Sequence, residues 1–162
     1  MANKTSFTSD EWKLLLEGVM MAGIAVTAAE PHGLWGTLKE GFASAQAMEA
    51  GKAGSSELIK ALVADLETSQ GRSIAREGLK EQLKDSKPTE IKTKSVDTLR
   101  QVAALLDAKA PQEASAVKAW LMGISTHFAE ASKEGGFLDF GGVSVSDGEK
   151  ATLAEIQAAL KA

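Results

Sequence analysis

The chain has 162 residues, of which 44% are hydrophobic and 25% are charged, a composition typical of a globular domain with a core of its own. The 18 lysines and arginines are outnumbered by 22 acidic residues, and the net charge of −4 argues against a nucleic-acid partner bound through its phosphates. Because the chain has no cysteine, disulfides, thiolate catalysis and zinc–thiolate sites are excluded.

The N-terminal stretch MANKTSFTSDEW is polar and lacks the apolar segment of a signal peptide. The most apolar run, residues 18–29, has 12 residues, fewer than the ~20 that a membrane-spanning helix needs. We therefore expect a soluble, cytoplasmic protein without membrane insertion.

The first helix has a clear start signal. Thr8 and Glu11 are spaced as a capping box, and Phe7 and Trp12 occupy the two positions of a hydrophobic staple. Apolar residues then spread over nearly all sides of the helix, which predicts a central, mostly buried element that ends before Pro31.

The remainder of the chain is dominated by helix signals, and strand signals are nearly absent. Ser86 is a candidate N-cap before Pro88, Ser146 and Glu149 form a second capping box, and a break or kink is expected near Gly71. Beyond the first helix, the predicted helices cover about 34–50, 56–67, 72–84, and segments beginning near 88, near 111 and after 146. The sequence thus predicts an all-α, single-domain bundle of about seven helices over residues 1–162, with the first and sixth helices central. The residues expected to be buried are Trp12, Val19, Ile24, Leu106, Trp120, Ile124 and Phe128.

The glycine-rich stretch EGGFLDFGGVSVSDGE raises the question of a phosphate-binding loop. Gly136 and Gly141 have the spacing of a P-loop, but Gly142 and Val143 stand where Lys and Ser or Thr are required. The following helix opens with acidic residues, which would repel a phosphate. A structural connector is the better interpretation, with Phe137, Leu138 and Phe140 packed against the bundle or serving an interface.

Catalytic side chains are scarce, since the chain has two histidines, no tyrosine and no cysteine. His127 lies in one helical row with Trp120, and Glu130 follows almost one turn later. This arrangement allows a metal ligand or a general base, but a boundary histidine with a surface ion pair is the simpler interpretation. No nucleophile elbow, zincin or di-iron motif is present, so we predict no catalytic residues, no metal site and no cofactor.

The tryptophans lie on predicted helices among apolar neighbours, where core packing is the usual role. They could also line an apolar ligand cavity between helices. The candidate pocket residues are Trp35, Trp120, His127 and Phe128.

The sequence contains a weak internal similarity between two segments that lie 105 residues apart. Lys13-x-x-Leu16-x-Gly18-Val19 is matched by Lys118-x-x-Leu121-x-Gly123-Ile124. Two interpretations remain open: two related helical hairpins, or coincidence in a chain rich in Ala, Leu and Gly.

The final part of the chain, VKAWLMGISTHFAEAS with EGGFLDFGGVSVSDGEKATLAEIQAAL, resembles a family of uncharacterised bacterial proteins of similar length. Its pattern Gly-Gly-Val-x-Val-Ser-x-x-Glu, ahead of a Leu/Ile helix, is similar to the tellurite-resistance TerB-like helical family. That resemblance implies a helical, stress-associated protein with weak divalent-cation binding. The acidic Asp-Gly turn of the family is replaced here by SKEGG and AAEPHG, so no metal ligand is carried over.

These observations favour a protein that is not an enzyme. The leading hypothesis is a helical-bundle module that binds a protein partner or itself, for example as a homodimer. The alternatives are a carrier of a small apolar ligand and a TerB-like protein that binds divalent cations weakly.

Overall fold

A computed structural model describes residues 2–27, 54, 56–134 and 147–161. These residues form a 3-10 turn at Lys4–Ser6 and six α-helices, and they contain no strand, so the predicted all-α class is confirmed. The helices are α1 (Ser9–Thr27), α2 (Glu57–Glu67), α3 (Ser69–Leu83), α4 (Pro88–Lys109), α5 (Pro111–Glu134) and α6 (Asp147–Leu160). The count is one below the expected seven, and the helix predicted over 34–50 lies outside the described residues.

The start of α1 follows the sequence signal. The Glu11 N–H donates to Thr8 Oγ1 at 3.2 Å, and the Thr8 N–H donates to Glu11 Oε2 at 2.8 Å. The rings of Phe7 and Trp12 pack with their centroids 6.0 Å apart. The capping box and the staple are both present, because each needs only residues within one turn of the helix start.

Helix α1 is the centre of the bundle, and it packs against all five other described helices, most extensively against α4. Every residue from Leu15 to Val26 is buried, as the apolar pattern predicted. Gly18 permits the approach of α4, since a Cβ at this position would lie 2.7 Å from Val102 Cγ2. Within the described residues, no helix is both long and apolar enough to cross a bilayer.

Most of the predicted core is found in the described part of the chain. Helix α5, the sixth helix of the sequence prediction, packs against α1, α2, α4 and α6. The expected residues that are buried are Trp12, Val19, Ile24, Leu106, Trp120 and Ile124. The Phe128 side chain and the loop residues Phe137, Leu138 and Phe140 lie outside what the structure describes.

Two helix boundaries differ from the sequence prediction. Helix α3 begins at Ser69 rather than near Arg72, because Thr68 Oγ1 accepts the Gly71 N–H at 2.9 Å and caps the helix. Ser86 is not the N-cap of α4: Lys87 holds that position, and its N–H donates to Glu90 Oε2 at 2.9 Å. In both helices the difference concerns which of several polar residues near the helix start serves as the N-cap.

Candidate functional site

The structure places two of the predicted pocket residues on one helix. Trp120 is buried in α5, and His127 is half-buried two turns further along the same helix. Phe128 belongs to α5, but its side chain lies outside the described part of the chain, as do Trp35 and the loop at Phe137, Leu138 and Phe140. The apolar pocket therefore stays a prediction.

Two shallow grooves occur elsewhere on the described surface. One, of about 270 Å³, lies between α4 and α6, where Asp97, Arg100 and Glu155 line it. The other, of about 330 Å³, lies where the N-terminal segment meets the turn between α4 and α5. Neither groove includes Trp120 or His127. Among the described side chains, no three His, Asp or Glu residues form a group that could hold a metal ion.

The distinctive feature of the described surface is the distribution of charge on α5. Between Pro111 and His127 this helix carries two charged side chains, Glu113 and Lys118, and they are only 9% and 7% exposed. The exposed positions on the same stretch are all uncharged. In an ordinary surface helix the charged side chains face water, whereas here the water-facing positions carry none, although apolar residues such as Leu121 and Ile124 still face the core.

Glu113 is buried because it joins three parts of the chain. Its Oε1 accepts hydrogen bonds from Ser56 Oγ and from the Leu58 N–H, both at 3.0 Å, and its Oε2 accepts one from the Ala2 N–H at 3.0 Å. The Leu58 amide belongs to the first turn of α2, where N–H groups have no partner within the helix and a negative charge is favourable. Glu113 thus fixes the start of α5 to the start of α2.

Lys118 has a different partner on a neighbouring helix. Its Nζ donates to Asp107 Oδ1 of α4 at 2.6 Å, and the Asp107 side chain is 48% exposed. The pair joins α4 to α5 at the edge of the core. Both charges of this stretch are therefore directed to partners within the bundle.

What remains outside is a face of uncharged residues, which we call the α5 outer face. Its exposed members are Gln112, Ser115, Ala116, Ala119 and Gly123, and Met122 and Thr126 lie half-buried at its edge. Ser115, Ala119 and Gly123 follow one another at intervals of four residues along its centre, so they share one side of the helix. At 1.5 Å per residue the face is about 22 Å long.

Gly123 is the most informative member of this face. It is exposed inside the helix, and a Cβ added there would meet nothing within 4 Å. Glycine in a helix interior is less favourable than alanine by roughly 0.8–1.0 kcal/mol. No contact among the described residues accounts for the choice of glycine at this position.

The spacing of residues in the sequence already indicates that Glu113 and Lys118 face inward. Glu113 lies four, seven and eleven positions before Val117, Trp120 and Ile124, so helical spacing puts it on the apolar side. Lys118 shares a row with Leu121 in the same way. A check for charges in the apolar rows of the helix would have found both.

Comparison with protein-family models, with curated proteins and with solved structures finds no match for this chain. The resemblance of the final stretch to TerB-like proteins therefore stays a prediction.

Proposed function

We propose that this chain is a non-enzymatic helical-bundle protein that acts as a self-association module, with a second copy of the chain bound to the α5 outer face. The observation that carries the proposal is the reversed charge pattern of α5, which directs Glu113 and Lys118 inward and leaves the outer face uncharged. Lysine and the acidic residues are depleted at the centre of protein interfaces relative to the remaining surface.

The net charge of the chain favours this face as the meeting point of two copies. At a net charge of −4, two copies repel each other, and the repulsion is smallest where neither presents a charge. A two-fold axis at Ala119 would place Ser115 of each copy opposite Gly123 of the other in an antiparallel helix pair. Small residues along such a contact allow the two backbones to approach closely.

Gly18 provides an example of such a contact inside this chain. It lies on α1 where α4 approaches, and a side chain there would meet Val102. Gly123 has the same lack of a side chain on α5 but faces open space. A helix of a second copy would give Gly123 the role that α4 gives Gly18.

The expected dimer is weak. A contact along one helix face of about 22 Å is short, and small interfaces are typical of transient association. Sedimentation and native mass spectrometry over a wide range of protein concentrations should therefore show a monomer that converts to a dimer as concentration rises.

The decisive variants place the same charge on two exposed alanines. Ala119→Glu puts a carboxylate at the proposed two-fold axis, where it would face its own copy, and we expect it to abolish the dimer. Ala104→Glu adds the same charge to an exposed position of α4 and should leave the dimer intact. Both sites are exposed, so neither change disturbs the core.

Because the chain has no cysteine, single-cysteine variants give a second test. Ala119→Cys should form a disulfide-linked dimer on mild oxidation, since disulfides require Cα atoms roughly 4.4–6.8 Å apart, and Ala104→Cys should not. A protein that stays monomeric at every concentration, or an Ala119→Glu variant that still dimerises, would contradict the proposal. A bound apolar molecule or a divalent metal in the native mass would favour the carrier or the TerB-like alternative.

A further inference from the structure

A second buried carboxylate, on α1, lies in a setting unlike that of Glu113. Glu17 is 4% exposed, and its Oε2 accepts a hydrogen bond from Gln82 Nε2 of α3 at 2.7 Å. Gln82 Oε1 in turn accepts from Thr98 Oγ1 of α4 at 3.0 Å. Glu17, Gln82 and Thr98 thus form a polar chain that joins three helices.

The other carboxylate oxygen occupies space that α3 provides. Gly78 faces Glu17 Oε1, and a Cβ at position 78 would collide with that oxygen. Gly78 therefore leaves a niche for the carboxyl group, and the fit depends on α3 being docked.

The charged groups around the niche do not form an ion pair with Glu17. Lys13, one turn earlier on α1, pairs with Glu81 of α3 at 3.6 Å, and Glu81 adds a negative charge near the niche. Lys94 of α4 donates to the Gln82 carbonyl oxygen and to Ser86 Oγ. Within the described residues Glu17 is thus a buried carboxyl group that accepts from Gln82, and Lys13, whose Cε lines the same niche, pairs with Glu81 rather than with Glu17.

Helix α3 buries fewer large apolar side chains than α2 does. The fully buried residues of α3 are Gly71, Ala75, Gly78 and Leu79, and Ile74 and Leu83 are partly buried against the core. Those of α2, a shorter helix, are Leu58, Ile59, Leu62, Val63 and Leu66. A helix with few buried apolar groups has a low free energy of local opening.

We propose that Glu17 and Gln82 form a proton-dependent latch: α3 docks more firmly on α1 and α4 while the Glu17 carboxyl group carries its proton, and its docking weakens when that proton passes to water. A neutral carboxyl group fits the niche with the Gln82 hydrogen bond intact. An ionised one would be a buried charge whose nearby cation, Lys13, is already paired with Glu81, which is unfavourable, and opening of α3 lets water reach it.

The electrostatics of the niche agree with this direction. Burial, and to a smaller extent the charge of Glu81, raise the pKa of Glu17 above its ordinary value of 4.5, against the opposing effects of Lys13 and of the Gln82 hydrogen bond. A group whose pKa is raised on docking binds its proton more tightly in the docked state. Docking is therefore most favourable below pH 4.5 and weakens as pH rises through the raised pKa.

Hydrogen exchange measured by mass spectrometry between pH 5 and 8 tests the latch, after correction for the intrinsic dependence of exchange on pH. Protection of the α3 amides should fall with rising pH by up to about tenfold per pH unit, the limit for one linked proton, while α2 serves as the internal reference. Glu17→Gln should keep α3 protected at a level that does not change with pH. Glu81→Gln is the matched control, at an exposed position of the same helix. In this variant the protection of α3 should still depend on pH, but the midpoint of the change should move to lower pH, because the charge that raises the pKa of Glu17 is gone.

Two results would overturn the latch: α3 protection in the unmodified chain that is independent of pH, or the same pH profile in Glu17→Gln. Carbon NMR of the Glu17 carboxyl group in the unmodified chain tests the same point without a variant. Titration at or below the ordinary value of 4.5 would also rule it out.

Discussion

Helices α3 and α5 belong to the same bundle but place their charges on opposite sides. The exposed side of α3 carries Arg72, Arg76, Glu77, Lys80 and Glu81, whereas the exposed side of α5 up to His127 carries no charge. The interior side of α3 is uncharged, whereas that of α5 holds Glu113 and Lys118. The two helices thus differ both in the number of their charges and in their direction, because those of α3 face water and the two of α5 face partners within the bundle.

The largest expected effect concerns the inward charge of α5. Glu113→Ala removes the acceptor of three hydrogen bonds and leaves buried donors at the start of α2 without a partner, so the free energy of unfolding should fall by about 2–4 kcal/mol. Glu77→Ala on the exposed side of α3 should change it by less than about 0.5 kcal/mol. Urea denaturation of the two variants measures the difference. Equal losses would mean that the burial of Glu113 does not matter to the fold.

A matched pair of glycine substitutions sharpens the same contrast. Gly71→Ala in α3 would place a Cβ against the Asp65 backbone carbonyl, which cannot move away cheaply, and should cost about 1–3 kcal/mol. Gly123→Ala in α5 meets open space and should raise stability by roughly 0.5–1 kcal/mol. Thermal melts at low protein concentration, where the chain is monomeric, provide the measurement. Shifts of the same sign would remove the distinction between the two glycines.

The smallest effect is expected at the second inward charge of α5. Lys118→Met keeps a long apolar side chain at the boundary of the core and leaves Asp107 half in water, so the change should stay within about 1 kcal/mol. Urea denaturation in parallel with Glu113→Ala checks this. A loss as large as that of Glu113→Ala would show that the Lys118–Asp107 pair stabilises the fold as strongly as the three hydrogen bonds of Glu113.

The parts of the fold that could be predicted from the sequence depend on neighbours along the chain. The capping box of Thr8 and Glu11 and the all-round apolar pattern of α1 are local, and both are found as predicted. The start of α3 was misplaced by three residues, because the Thr68 hydroxyl was not recognised as the cap.

The site residues form hydrogen bonds with distant parts of the chain, so no short sequence motif contains both partners. Glu113 meets Ser56 and Leu58, which are 57 and 55 positions away, and Glu17 meets Gln82 at a separation of 65. Spacing on one helix predicts that such a residue faces inward. The spacing does not predict which hydrogen-bond donor the residue will meet, because the identity of the donor depends on how the other helices pack.

The central position of α1 has a consequence for the order in which the bundle is made. Helix α1 precedes its main packing partner, α4, in the chain, and α4 ends at Lys109. At roughly 5–20 residues per second, a ribosome needs about 4–16 s to add the residues from 28 to 109. During those seconds α1, which is buried from Leu15 to Val26 in the folded bundle, has been synthesised but has no completed α4 to cover it. We therefore expect chaperone binding and the risk of aggregation to be high at α1 until α4 has been made.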